Sequence, residues 1–399
     1  MNSQDYIKLE EQYGAHNYHP LDVVIKEAKG VWVTDVDGKK YMDCLAAYSA
    51  VNQGHCHPKI YQTFVEQAKL VTLTSRAFRN DKLPLFYKKL HDLTGYDMSL
   101  PMNSGAEAVE TAIKTARRWA YDVKGVQENK AEIIVATGNF HGRTTTIVGF
   151  SDDPHSFKGF GPYCKEAFPM HQYGNLEDLK SKITKNTAAV LIEPIQGEGG
   201  IVIPPDGYLK GVEQICKENN ILFICDEIQS GLGRAGKLFA HYYENVRPDI
   251  VIIGKALSGG FYPVSAILAD KHILSVIKPG EHGSTFGGNP LAAAVAIKAL
   301  EVIEEENLIE KSYQLGNYFL EKLRQIQSPH IVTIRGRGLW IGFVLDTKAR
   351  PYCEKLKHEG LLAKETHENI IRFAPPLVIT KDEIDWAVEK IQKVVKELD

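Results

Sequence analysis

Ile221-Leu222-Phe223-Ile224-Cys225-Asp226-Glu227 and Ile250-Val251-Ile252-Ile253-Gly254-Lys255 are the two stretches on which the fold turns. Each is a short apolar run bounded by turn signals, the pattern of a strand covered on both faces of a parallel sheet. The first ends in two carboxylates and the second in an amine, with Lys255 29 positions (255 − 226) after Asp226. Open α/β sheets bind ligands outside the carboxyl ends of their strands. An acid able to pair with a ring nitrogen and an amine able to form a Schiff base are what pyridoxal phosphate requires, so the pair predicts that cofactor.

Around these two strands the same alternation continues. Strands are expected at 133–135, 188–192, 222–225, 250–253 and 264–268, with amphipathic helical runs at 106–123 and 209–218. Strand–helix alternation of this kind predicts a doubly wound, mainly parallel α/β domain. Earlier, Asp37-Gly38 marks a hairpin in which Val31-Trp32-Val33 returns as Tyr41-Met42-Asp43. After Asn289-Pro290 a helix over 291–305 begins, and the pattern then changes. Strands at 332–335, 339–345 and 370–373 separate helices at 351–359 and 381–397, an α+β arrangement. The expected division is an arm and hairpin over 1–46, a large cofactor domain over 47–289 and a small-domain remainder over 290–399. The small domain is thus built from both chain ends.

Composition narrows the function classes. At 399 residues the chain exceeds one ordinary core. It is 44% hydrophobic and 24% charged with a formal charge of −3, without the basic excess of a nucleic-acid or anionic-membrane binder. Six cysteines are scattered with no Cys-x-x-Cys, as expected of buried, reduced thiols in a cytoplasmic protein. No signal-peptide core, Arg-rich transit segment or 18-residue apolar run is present, so a cytoplasmic bacterial protein is expected.

Three motif-like strings carry no chemistry. Gly231-Leu232-Gly233-Arg234-Ala235-Gly236 does not open a helix off its strand, and Leu238 stands where a P-loop needs Ser or Thr. His55-Cys56-His57 has adjacent residues pointing different ways, so no metal is expected.

The strings 222–234 and Gly254-Lys255-Ala256-Leu257-Ser258-Gly259-Gly260 resemble the class III aminotransferases of fold type I, and the resemblance covers nearly the whole chain. Within that class, Tyr13 to Pro20, Tyr48 to Pro58 and Asn139 to Thr144 are most similar to the ornithine aminotransferases. The resemblance implies a fold type I transferase acting on L-ornithine and 2-oxoglutarate, in arginine breakdown toward proline and glutamate. It also implies a homodimer, or a higher assembly, with a shared active site.

Asp226 would keep the pyridine nitrogen protonated, so that the ring accepts electrons. Lys255 would link to the cofactor and then act as base and acid, its pKa lowered by burial. Ser104, Gly105 and Ala106 open a helix whose free N–H groups would face the phosphate. By resemblance, Ser284 and Thr285 reach the phosphate of the neighbouring subunit, Phe140 stacks on the ring beside His141, and Gln229 contacts the ring hydroxyl. His141 departs from the Trp of animal members.

Arg143 and Arg372 match the two carboxylates of 2-oxoglutarate, and Glu198 would neutralise the arginine that ornithine leaves free. By resemblance Glu198 pairs with Arg372, Arg143 holds the ornithine α-carboxylate, and Tyr18 and Tyr48 line the α-amino end. The competing expectations are an aminotransferase for acetylornithine, 4-aminobutyrate or lysine, and a regulator that retains the fold without turnover. The tyrosine pair disfavours the first; the lack of a spare DNA-binding segment and the intact Asp226–Lys255 pair disfavour the second.

Overall fold

The computed structural model describes all 399 residues. Its centre is a seven-stranded sheet. In spatial order the strands are Met98–Met102, Ser265–Ala269, Ile250–Ile253, Leu222–Asp226, Thr187–Ile192, Glu132–Ala136 and Met170–His171. The strands from Ile250–Ile253 to Met170–His171 pair in parallel, while Ser265–Ala269 runs antiparallel to both its neighbours. The molecule is thus α/β with a large, mostly parallel sheet, as the strand–helix alternation predicts.

Alternate residues of each central strand enter different cores, the period-2 geometry of a strand covered on both faces. Val190, Ile192, Phe223 and Cys225 join one cluster, whereas Ala189, Leu191, Leu222 and Ile224 pack in another with the helix Gly105–Trp119. Gly105–Trp119 starts with a capping box between Ser104 and Glu107 and buries the face containing Ala108, Ala112, Ile113 and Ala116. It runs on through a π turn, Ala120–Lys124, to Gly125 in the left-handed conformation.

Two smaller sheets accompany the large one. Ile25–Lys29, Trp32–Asp35 and Lys40–Asp43 form a meander, and Leu361–Leu362 adds to it in parallel, so strands from both chain ends share a sheet. The hairpin turns at Gly38 (φ +86°), with Trp32 opposite Met42. The other small sheet orders Ile331–Gly336, Ile341–Leu345, Ile370–Phe373 and Lys364–Thr366, all antiparallel. Helices Pro290–Glu305, Leu308–Arg324, Arg350–His358 and Lys381–Leu398 complete this part of the chain. The strand expected over 339–345 is shorter, because Leu339 and Trp340 lie in the turn that enters it. All six cysteines are free, but Cys56 and Cys164 are exposed, which corrects the expectation of uniform burial. No helix is long and apolar enough to cross a membrane.

Candidate active site

Four neighbouring parallel strands end at one cavity of about 280 Å³. Glu132–Ala136 leads to Phe140, His141 and Gly142; Thr187–Ile192 to Glu193; Leu222–Asp226 to Asp226, Gln229 and Ser230; Ile250–Ile253 to Lys255. Gly105 and Ala106, the first residues of their helix, close another wall. Asp226 lies opposite Ile252 across the ladder, three residues before Lys255, so sheet register brings the two together. Lys255 sits at φ +43° at the start of a short turn, Lys255–Ser258, an uncommon conformation for a non-glycine residue.

Electrostatics distinguish the groups. Burial pushes the Lys255 amine below its ordinary pKa, partly opposed by the negative charges of Asp226, Glu198 and Glu193. Asp226 Oδ2 receives His141 Nδ1 at 2.7 Å, and Oδ1 accepts the Ile228 N–H at 3.0 Å. Burial disfavours a charged His141, but the hydrogen bond and charge of Asp226, with Glu193 beyond, raise its pKa overall. His141 Nε2 is buried without any partner. Burial raises Glu193 to about 7, although it accepts the N–H groups of Phe140 (3.0 Å) and Gly197 (3.3 Å).

A second cluster lies beside this cavity. Arg372, 4% exposed, donates Nη1 to Glu198 Oε1 at 2.6 Å, and its guanidinium sits 5.1 Å from the centre of the Tyr48 ring. Tyr48 is held there by a left-handed turn: Ala46, Ala47, Tyr48 and Ser49 have φ of +51°, +47°, +58° and +74°. Each such L-residue costs about 1–2 kcal/mol. Asp43 anchors the entrance, accepting Leu45 N–H (2.8 Å) and Ala46 N–H (3.0 Å) on Oδ1 and the His55 ring at 2.8 Å on Oδ2. Burial raises the Tyr48 pKa, and Tyr18 is among the groups whose charge adds to the shift.

Each expected residue therefore has a place. Asp226, Lys255, Gly105, Ala106, Phe140, His141 and Gln229 line the cavity. Glu198, Arg372 and Tyr48 meet beside it. Arg143 is exposed, stacked 5.6 Å from the centre of the Phe140 ring, and Tyr18 is 70% exposed on its arm. Ser104 is an exposed N-cap. Ser284 accepts from Asn103 Nδ2 at 2.7 Å, and Thr285 is exposed and does not line the cavity of its own chain. Glu193, after an expected strand just as Asp226 ends one, is a cavity residue outside the sequence expectations.

The cavity fits pyridoxal phosphate. It offers an aromatic face, an acid, an amine, an unpartnered buried ring nitrogen on His141, and helix N–H groups with no intrahelical acceptor. Gly197 must stay small, because a Cβ there would lie 2.2 Å from Gln229 Oε1 and 2.8 Å from Trp340.

The family model for aminotransferase class-III matches residues 13–395. The chain belongs to this family. Its cofactor is pyridoxal phosphate, and the chain is an enzyme of that kind. An ornithine aminotransferase of Geobacillus sp. (strain WCH70) is 63% identical over 390 residues, 98% of each chain. A Toxoplasma gondii ornithine aminotransferase structure, described with partial occupancy of PLP at its active site, superposes with TM-score 0.98. It is 41% identical and covers 99% of this chain and 94% of its own. An acetylornithine aminotransferase from Elizabethkingia anophelis is 49% identical, with TM-score 0.90 and full coverage of both chains.

Proposed function

We propose that this aminotransferase moves the δ-amino group of L-ornithine to 2-oxoglutarate. The products are glutamate and glutamate 5-semialdehyde, which cyclises to pyrroline-5-carboxylate. The observation that carries this reading is the Glu198–Arg372 pair, 2.6 Å apart with Arg372 buried, while Arg143 stands exposed with no carboxylate partner. Such a pocket presents one available arginine to a donor with a single carboxylate, and uncovers a second for a dicarboxylic acceptor. The high identity to ornithine aminotransferases supports the same choice.

Pyridoxal phosphate, when bound, supplies an aldehyde that carries the amino group between substrates and a ring that accepts electrons. Asp226 would hold a proton at the ring nitrogen, and His141, bonded to its Oδ2, fixes the orientation of that carboxylate. The depressed pKa of Lys255 leaves Nζ more often neutral, ready to take a proton from the δ-carbon of the donor and return one. Gln229 and Phe140 line the cavity, where Gln229 would hold the ring hydroxyl and Phe140 would pack against the ring face. The N–H groups of Gly105 and Ala106, beside the N-cap Ser104, take the phosphate.

Arg143 binds the ornithine α-carboxylate, Tyr48 and Tyr18 receive its α-ammonium, and Glu198 covers Arg372. For 2-oxoglutarate, Glu198 swings away, Arg372 takes the α-carboxylate, and Arg143 takes the distal one. Ser284 and Thr285 of a second copy would complete the phosphate site, so the working unit is a homodimer; the exposure of Thr285 away from its own cavity supports this. The location proposed for it is the cytoplasm; no helix is long and apolar enough to cross a membrane. The test offers ornithine, N-acetylornithine and 4-aminobutyrate separately with 2-oxoglutarate. Rapid pyrroline-5-carboxylate formation from ornithine is expected; a clear preference for N-acetylornithine overturns the donor assignment.

A further inference from the structure

The segment carrying Tyr18 has little hold on the rest of the molecule. Residues 14–20 are all exposed and lie in no helix or strand beyond Tyr13. Between Ala15 and Val23 the backbone bonds are internal: Asn17 N–H to Ala15 O at 2.9 Å and Val23 N–H to Leu21 O at 2.7 Å. His16 reaches only back to Glu11 O in the preceding helix, at 2.8 Å. The remaining hydrogen bonds from this segment all come from one side chain. Arg350 Nη1 donates to His19 O at 3.2 Å and Nη2 to Pro20 O at 2.8 Å.

The same guanidinium is braced from behind. Its Nε donates to Glu354 Oε1 at 2.8 Å, and Nη1 lies 3.3 Å from Glu365 Oε1, which Lys364 also contacts. Glu365 belongs to the strand Lys364–Thr366, which pairs with Ile370–Phe373 and sets Lys364 opposite Arg372. The next residue, Thr366, donates Oγ1 to the carbonyl of Glu198 at 2.8 Å. Arg350 therefore spans from the carbonyls just after Tyr18 to the hairpin that holds both members of the Arg372–Glu198 pair. Only a planar fork with several fixed donors can serve two carbonyls and two carboxylates at once.

We propose that Arg350 is a positioning residue for the amino donor. It pins the arm so that Tyr18 stands beside Tyr48 in register with Arg372 and Glu198, and so sets selectivity for a donor with a free α-ammonium. The proposal rests on the assignment of Tyr18 to the α-amino end of ornithine. The 2-oxoglutarate half-reaction does not use Tyr18 and serves as the internal control.

The experiment compares Arg350→Met, Arg350→Lys, Tyr18→Phe and the Tyr18→Phe/Arg350→Met double variant, each loaded with cofactor. Tyr18 is exposed and Arg350 is half-buried, so cofactor absorbance and thermal midpoint are measured on each variant, and Arg350→Lys, which keeps the charge beside Glu354 and Glu365, controls for loss of folding. Arg350→Met is expected to raise the ornithine KM about tenfold, the scale of one hydrogen bond to a charged group. The KM for 2-oxoglutarate should stay within about twofold. Arg350→Lys should fall between, and the double variant should be no worse than the stronger single one.

A Tyr18→Phe effect without an Arg350→Met effect overturns the clamp and leaves the Tyr18 assignment standing. So do single-variant effects that multiply in the double variant, or a rise in KM for both substrates alike. An unchanged ornithine KM in Tyr18→Phe removes the Tyr18 assignment itself, and the clamp falls with it.

Discussion

Replacing Glu198 with Ala should invert the way the pocket divides its two substrates. In the resting arrangement Glu198 is the sole hydrogen-bond partner of the Arg372 guanidinium, through Nη1 at 2.6 Å, and Arg372 Nε is buried with none. Hydrogen bonds between charged groups contribute about 1.5–3 kcal/mol. The Glu198 side chain is 29% exposed, so the lower part of that range applies, about 2 kcal/mol. In the proposed binding mode 2-oxoglutarate and glutamate break this contact, whereas ornithine keeps it. In Glu198→Ala the acceptor side no longer loses those 2 kcal/mol, and the donor side meets an uncovered cation. The ratio of kcat/KM for ornithine to kcat/KM for glutamate should therefore fall at least about 30-fold. Single-turnover conversion of the bound cofactor by each amino acid, followed by absorbance, measures both constants without the second half-reaction. A ratio within about threefold of the parent would refute the reasoning, since Arg372 would then be masked by something other than Glu198.

Three further outcomes follow from the same geometry. Asp226→Asn preserves size and can still bond His141, but removes the charge that holds the ring proton; kcat should drop at least about 100-fold while cofactor still binds. Gly197→Ala places a Cβ 2.2 Å from Gln229 Oε1, so cofactor affinity measured by equilibrium dialysis should weaken. Glu193 is held near 7 by burial, above its ordinary 4.5, so the folded apoprotein binds its proton more tightly than the unfolded chain. That contribution to stability is complete below about pH 4.5 and is lost as pH rises toward 7. Urea midpoints of the apoprotein should decline over that interval, with a flatter profile for Glu193→Gln; parallel profiles would contradict the assignment.

Much of the fold was legible because the buried strands announce themselves. The run 250–253 is matched residue for residue, and the strand before Asp226 gains only Asp226 itself. What escaped has physical reasons. Met98–Met102 contains Pro101 and little alternation; it survives because it lies at the sheet edge, pairing on one side alone. Met170–His171 is two residues long. The helix Ser3–Tyr13 buries nothing, so no apolar periodicity marks it, and only the Asn2–Asp5 capping box could have done so.

In the site, Asp226 and Lys255 were readable because strand ends are where α/β sheets put chemistry. Glu193 obeyed the same rule and was overlooked beside Pro194. The left-handed turn at Ala46–Ser49 was not readable at all. Nothing in Ala-Ala-Tyr-Ser favours positive φ; the conformation is imposed by Asp43 and the packing around it.

The central claim is that one ring lies between Asp226 and Lys255. Borohydride reduction of the cofactor-loaded protein, followed by proteolysis and mass spectrometry, tests it most directly. A single pyridoxyl-modified peptide carrying the label on Lys255 is the predicted result. A label on any other lysine, or none on Lys255, would contradict the account.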